Sequence, residues 1–218
     1  MQRLLYLALI FSISISAESI PLESKYWNIL AYKSIPANEV LDTKSGLLIK
    51  VASSASPIIY PFKSSATIKS LSVKLHTSGE LNLNGLTQGQ EGADDFLFRI
   101  GLVYSGQKQL SFFEKTFAPT WIKKLHALAK DGQGISHIEF FNLASQSSLL
   151  GKSRTHPLSE LLKENFIQVS TKKEQTLHFK ISSNDISNKK VLALWMSIDG
   201  DDTKSNFSIT IEELTIEN

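Results

Sequence analysis

Apolar residues in this chain recur with a period of two over many short runs, and that spacing commits it to β-sheet. The run ATIKSLSVKLHTSG shows it most plainly. Ile68, Leu71, Val73 and Leu75 are apolar, whereas Ser72, Lys74 and His76 are polar, with one slip near Ser70 that reads as a bulge. GLLIKVAS places Leu47, Ile49 and Val51 on one face. IIYPF carries Pro57 and Pro61 around it, which suits an edge or a strand end. FLFRIGLVY and VLALWMSI are apolar on both faces, as central strands of a sandwich are, and HIEFFNLAS, TLHFKIS and FSITIEELTI also read as strands.

Eight or more strands at this spacing, with no interleaved series of helices, predict an all-β fold: an antiparallel β-sandwich. Two segments break the pattern. APTWIKKLHALAKDGQG predicts a helix with Thr120 as its cap, Trp121, Leu125 and Leu128 on one side and Asp131–Gly132 as its end. THPLSELLKENF predicts a second short helix, with Leu158, Leu161 and Leu162 on one side. SGELNLNGLTQGQEGADD is rich in Gly and Asn and reads as a loop.

The first residues, MQRLLYLALIFSISISAES, place Arg3 before an apolar stretch that ends near Ile15, followed by small residues. That is the layout of a secretory signal peptide over 1–17, which leaves one domain over 18–218. The stretch is too short to span a bilayer, which takes roughly 20 residues, and no second apolar run of that length follows. We therefore expect a periplasmic or secreted protein without a membrane span. Loss of Arg3 takes the 23 basic residues to 22, against 21 acidic ones. A near-neutral chain with scattered lysines argues against nucleic acid as a partner. There is no cysteine, so disulfides, thiol catalysis and cysteine-bound zinc are excluded.

The segments EGADDFLFRIGLVYSG and VLALWMSIDGDDTKSNFSITIEELTI carry the two acidic spots of the chain. Together they resemble an uncharacterised family of exported bacterial proteins, a domain of unknown function. In that family an Asp-Asp pair leads into a strand with an inward arginine, and a later strand ends in a loop with aspartate and threonine. The matching residues here are Asp94, Asp95 and Arg99, then Asp199, Asp201 and Thr203. YWNILAYKSIPANEVLDTKSGLLIKVASSAS is similar in order. The resemblance implies a sandwich of jelly-roll or galactose-binding-like character and no known activity.

The acidic loop has several readings. DGDDT matches the Asp-x-Asp-x-Thr pattern of haloacid-dehalogenase-type phosphatases, but that motif opens a doubly wound α/β domain, and here only a strand follows. It is no EF-hand either, because Lys204 and Thr210 stand where glycine and glutamate are needed. Asp199, Asp201 and Asp202, joined by Asp94 and Asp95, supply the hard oxygens that Ca2+ takes. The plainer alternative is a turn plus a structural ion pair between Arg99 and Asp95 or Asp199.

Other catalytic signatures fail. GKS at Gly151–Ser153 lacks the earlier P-loop glycine, since position 146 is Gln146. No Gly-x-Ser-x-Gly elbow and no His-Glu-x-x-His helix is present. The balance is against an enzyme. Among the aromatics, Trp195 lies in a continuous apolar strand and reads as core, whereas Trp121 and Tyr104 are the candidate sugar-stacking residues. The expected function is non-catalytic recognition of a cell-envelope or extracellular glycan. The alternatives are a glycan hydrolase acting on envelope polymers and a structural, partner-binding envelope protein.

Overall fold

The computed structural model describes residues 17–111, 118, 120–129, 134–157 and 159–218. Residues 1–16 of the expected leader lie outside that range, as do Leu158 and Asp131–Gly132. The thirteen strands are β1 (Ala17–Ser19), β2 (Asn28–Ile29), β3 (Glu39–Thr43), β4 (Gly46–Ala52), β5 (Ala55–Ala66), β6 (Ser70–Gly79), β7 (Phe98–Gly106), β8 (Gly134–Ala144), β9 (Ser153–His156), β10 (Ser159–Val169), β11 (Glu174–Ile181), β12 (Val191–Asp199) and β13 (Asn206–Glu217). Among the described residues one short α-helix, α1 (Thr120–His126), precedes β8.

The strands form two sheets of a β-sandwich. One runs β11-β6-β13-β4-β3, with β1 paired to the far half of β13. The other has seven strands in the order β2-β5-β12-β7-β8-β10-β9. All its pairings are antiparallel except β8 with β10, which run parallel. The expected alternation holds on β4 and β6, where Leu47, Ile49, Leu71, Val73 and Leu75 are fully buried between the sheets. The slip at Ser70 is simply the first residue of β6. The prolines of β5 sit next to β2, which has only two residues, so that side of β5 demands few ladder bonds.

The seven-stranded sheet is covered on both faces, so every residue of β12 is buried. Leu194, Met196 and Ile198 face the inter-sheet core with Phe98, Ile100, Leu102 and Phe141. Trp195, Val103, Ile138 and Phe140 face outward and meet Leu125 of α1, with Trp121, Leu128 and Leu162 packed around them. Gly101, between Trp195 and Phe140 in register, makes this possible. A Cβ there would lie 2.7 Å from Ile138 and 2.8 Å from the Phe140 ring.

The expected second helix is a strand. Leu162, Glu164 and Phe166 alternate along β10, and Glu164 is 1% exposed. A buried carboxylate interrupts the apolar alternation, and the adjacent Leu161 and Leu162 then imitate a helical stripe. The 80–97 connection is irregular, as expected. Among the described residues no helix is long and apolar enough to cross a membrane.

Candidate functional site

The outward face of the seven-stranded sheet carries a half-open cavity of about 300 Å³. Its floor follows from strand parity. Arg99 faces out from β7, as do Phe140 from β8, Leu162 from β10, and Trp195, Ser197 and Asp199 from β12. Trp121 of α1 and Tyr32 also line it. The 80–97 connection supplies Asp94 and Asp95, the turn after β12 supplies Asp201 and Asp202, and β9 adds His156.

Arg99 lies at the centre, 9% exposed. Its Nη2 donates to Asp199, and its Nη1 lies 3.3 Å from Glu164 Oε1. Burial works against its charge, but Asp199, then Glu164 and Asp94, more than offset this and hold the proton firmly. The guanidinium also lies 4.9 Å from the Phe96 ring centroid. Glu164 accepts a second guanidinium through Arg154 Nε at 2.7 Å, and the Asn142 amide at 3.0 Å. Arg154 continues to Asp94 at 2.8 Å and to the carbonyl of Gly89. His156 Nε2 lies 2.8 Å from the other Asp94 oxygen. Burial tends to raise the Asp94 carboxyl, but His156, Arg99 and Arg154 hold it below the usual range.

Asp95 has a different task. One of its oxygens accepts the Thr203 backbone N–H at 2.7 Å and the Thr203 hydroxyl at 2.6 Å. That clamps the 80–97 connection to the turn after β12. Asp201 titrates upward, to about 6, because burial and the neighbouring Asp95, Asp199 and Asp202 all disfavour its charge. Burial and Asp199 likewise push the Tyr32 phenol up. Two buried polar atoms lack partners among the described residues, Arg99 Nε and Asn142 Oδ1, and these residues pair across β7 and β8.

All five aspartates singled out in the sequence therefore line one cavity, as does Trp121. Among the described residues no three His, Asp or Glu side chains are placed to hold a metal ion. Arg99 pairs with Asp199 and Glu164, while Asp95 goes to Thr203. Tyr104 is not a surface ring. It is fully buried in the inter-sheet core because it shares parity with Phe98 and Leu102, and its hydroxyl accepts from the Ser187 N–H at 3.2 Å. Sequence reasoning missed Glu164, Arg154 and Tyr32; it read Trp195 as core, and Trp195 is buried in the outward apolar cluster. Counting back by twos from Asp199 puts Trp195 on the aspartate face, and it does line the cavity, meeting Trp121 edge to face at 6.1 Å.

No family model matches the chain, and no curated protein matches it. Solved structures with similar strand arrangements include a xylan-binding module, CBM15, at 9% identity over 94% of this chain and 97% of the other, TM-score 0.36. A family 11 carbohydrate-binding module from Clostridium thermocellum, in complex with a beta-1,3-1,4-mixed-linked tetrasaccharide, is 6% identical over 93% and 96%, TM-score 0.45. A native family 12 xyloglucanase from Bacillus licheniformis is 8% identical over 93% and 100%, TM-score 0.42. Likeness at this level says nothing of what this chain binds.

Proposed function

We propose that this protein is an exported glycan-binding module whose binding site is the cavity on the outward face of the seven-stranded sheet. The observation that carries the reading is Trp121, half-buried and edge to face with Trp195, in the lining of a cavity that also holds Asp94, Asp201 and Tyr32. Sugar rings take that combination, with a flat apolar face against one wall and hydroxyls toward carboxylates on the other. Ion pairs hold the polar floor rigid, so little ordering remains to be done on binding. The leader-like N-terminus supports a periplasmic or secreted setting. We also assign the chain to the uncharacterised exported family that it resembles, because Asp95 meets Thr203 and Arg99 meets Asp199 at this cavity. A glycan array followed by titration calorimetry tests the reading. Oligosaccharide binding is expected, and Trp121→Ala should weaken it by about tenfold, the effect of losing ~1.4 kcal/mol of stacking. Binding that ignores Trp121 overturns it.

A second reading, glycan hydrolysis, draws on one observation: two carboxyls of the cavity differ, with Asp201 raised to about 6 and Asp94 held low. Release of reducing ends from a bound oligosaccharide, lost in Asp201→Asn with binding kept, decides for it. Binding without release decides against it.

A further inference from the structure

The two sheets end on β3 and β11, and on β2 and β9. β3 has 5 residues, β2 has 2 and β9 has 4, whereas β11 has 8. Natural sheets blunt a long edge with a proline, a bulge or a covering segment. β11 holds no proline or glycine, and its register with β6 runs from Glu174 to Ile181 without a shift. Among the described residues no strand pairs with its far side.

The ladder fixes which backbone groups of β11 face outward. The Gly79 N–H donates to the Lys173 carbonyl at 2.7 Å, and the Thr77 hydroxyl donates to the Gln175 carbonyl at 3.4 Å. Odd-numbered residues therefore turn their backbone groups toward β6. Glu174, Thr176, His178 and Lys180 turn their N–H and C=O groups away from the sheet, and their side chains are exposed. The charges at the two ends of this row are opposite. Glu174 reaches only His76, at 3.6 Å, and Lys180 makes no ion pair among the described residues.

We propose that β11 is a dimerisation edge whose partner is β11 of a second copy of this chain. The two strands run antiparallel about a two-fold axis at Leu177. Glu174 then stands opposite Lys180 at both ends, and Thr176 stands opposite His178, so every outward N–H meets an outward C=O. Leu177, half-buried on the inner face, meets its own copy at the axis, where the non-hydrogen-bonded pair brings side chains closest. Neighbouring registers are worse. An axis at Thr176 sets Lys172 opposite Lys180, and an axis at His178 moves Glu174 opposite Ser182, beyond the strand. The charge pattern thus selects both the partner and the register.

Sedimentation equilibrium of the protein over roughly 1 µM to 1 mM tests this. A monomer–dimer equilibrium is expected. Glu174→Lys and Lys180→Glu each set like charges against one another at both ends of the strand pair, and each should weaken the dimer about tenfold. Mixed in equal amounts, the two variants should form a heterodimer about as tight as the original dimer, because opposite charges meet again at both ends. Thr176→Pro removes an outward N–H and leaves the ladder to β6 intact, so it should give a monomer that still melts cooperatively. A protein that stays monomeric across the whole range overturns the proposal. A dimer that the charge variants leave unchanged also overturns it, and places the contact elsewhere. Weakened variants that do not recover on mixing overturn the antiparallel register.

Discussion

Asp95 and Thr203 lie 108 residues apart, yet one carboxylate oxygen of Asp95 takes both the backbone N–H and the hydroxyl of Thr203. The bond joins the two loops that carry the acidic wall of the cavity. Replacing Asp95 by alanine strands two buried donors, at a cost of about 3 kcal/mol. For a chain of this length that is a fall in melting temperature of roughly 6–12 °C. Thr203→Val removes one donor and keeps the other, so its loss should be about 1 kcal/mol. Thermal melts of the two variants side by side check the order; equal losses would mean that the backbone bond carries little.

Asp199 neutralises a guanidinium that has almost no contact with water. Asp199→Ala leaves Arg99 with Glu164, which Arg154 already shares, and should cost about 3–5 kcal/mol. In an Arg99→Met background the same change should cost much less. A denaturant-based double-mutant cycle measures that coupling, and additive losses would show that the pair does not act as one unit.

Gly101→Ala tests the outward aromatic cluster. The new Cβ enters at 2.8 Å from the Phe140 ring, which meets Trp195 edge to face at 6.4 Å. Overpacking of this kind costs about 1–3 kcal/mol. The near-ultraviolet circular dichroism of the aromatic residues should change with it. An unchanged spectrum and melt would mean that the rings yield freely.

Acid should act on two groups in opposite directions. His137, stacked on Tyr104, is held neutral down to about 4 by burial, then by Lys163 and Lys189. The unfolded chain takes up that proton first, so stability is lost as pH falls from about 6.5 to about 4. Asp201 is raised to about 6, so the folded state binds its proton first. Its contribution is present below about 4 and is lost as pH rises through 6. Asp201→Asn should therefore stabilise the protein at pH 7 and steepen its loss of stability on acidification. Melting temperatures of both forms between pH 4 and pH 7 check this, and parallel curves would remove Asp201 from the account.

Strand content was legible wherever one face of a strand meets solvent, as on β4 and β6, because burial then imposes alternation. Parity was not legible in the seven-stranded sheet, whose central strands are buried on both faces. Tyr104 was assigned to the surface for that reason, whereas it is core; Trp195, read as buried, is buried, and its outward parity also brings it to the cavity wall. Glu164 hid β10, because a buried carboxylate looks like a solvent residue until its arginines are known. The aspartates were visible because acidic residues after an apolar run stand out. The partners of Asp94, Arg154 and His156, come from an edge strand that the parallel β8–β10 pairing delivers.

The order of strands has a consequence for how the chain is made. β12 separates β5 from β7, and β13 separates β6 from β4, so both sheets take an interior strand from residues 191–217. A nascent chain that stops at Lys190 therefore has neither sheet complete, with β2-β5 cut off from β7-β8-β10-β9 and β11-β6 from β4-β3, and pulse proteolysis should digest such a fragment far faster than the full chain. At about 5–20 residues per second, synthesis holds the polypeptide in that open form for tens of seconds. During this time its apolar strands are available to a holdase or a translocation channel, and the native state arrives only when the last two strands slot between the others.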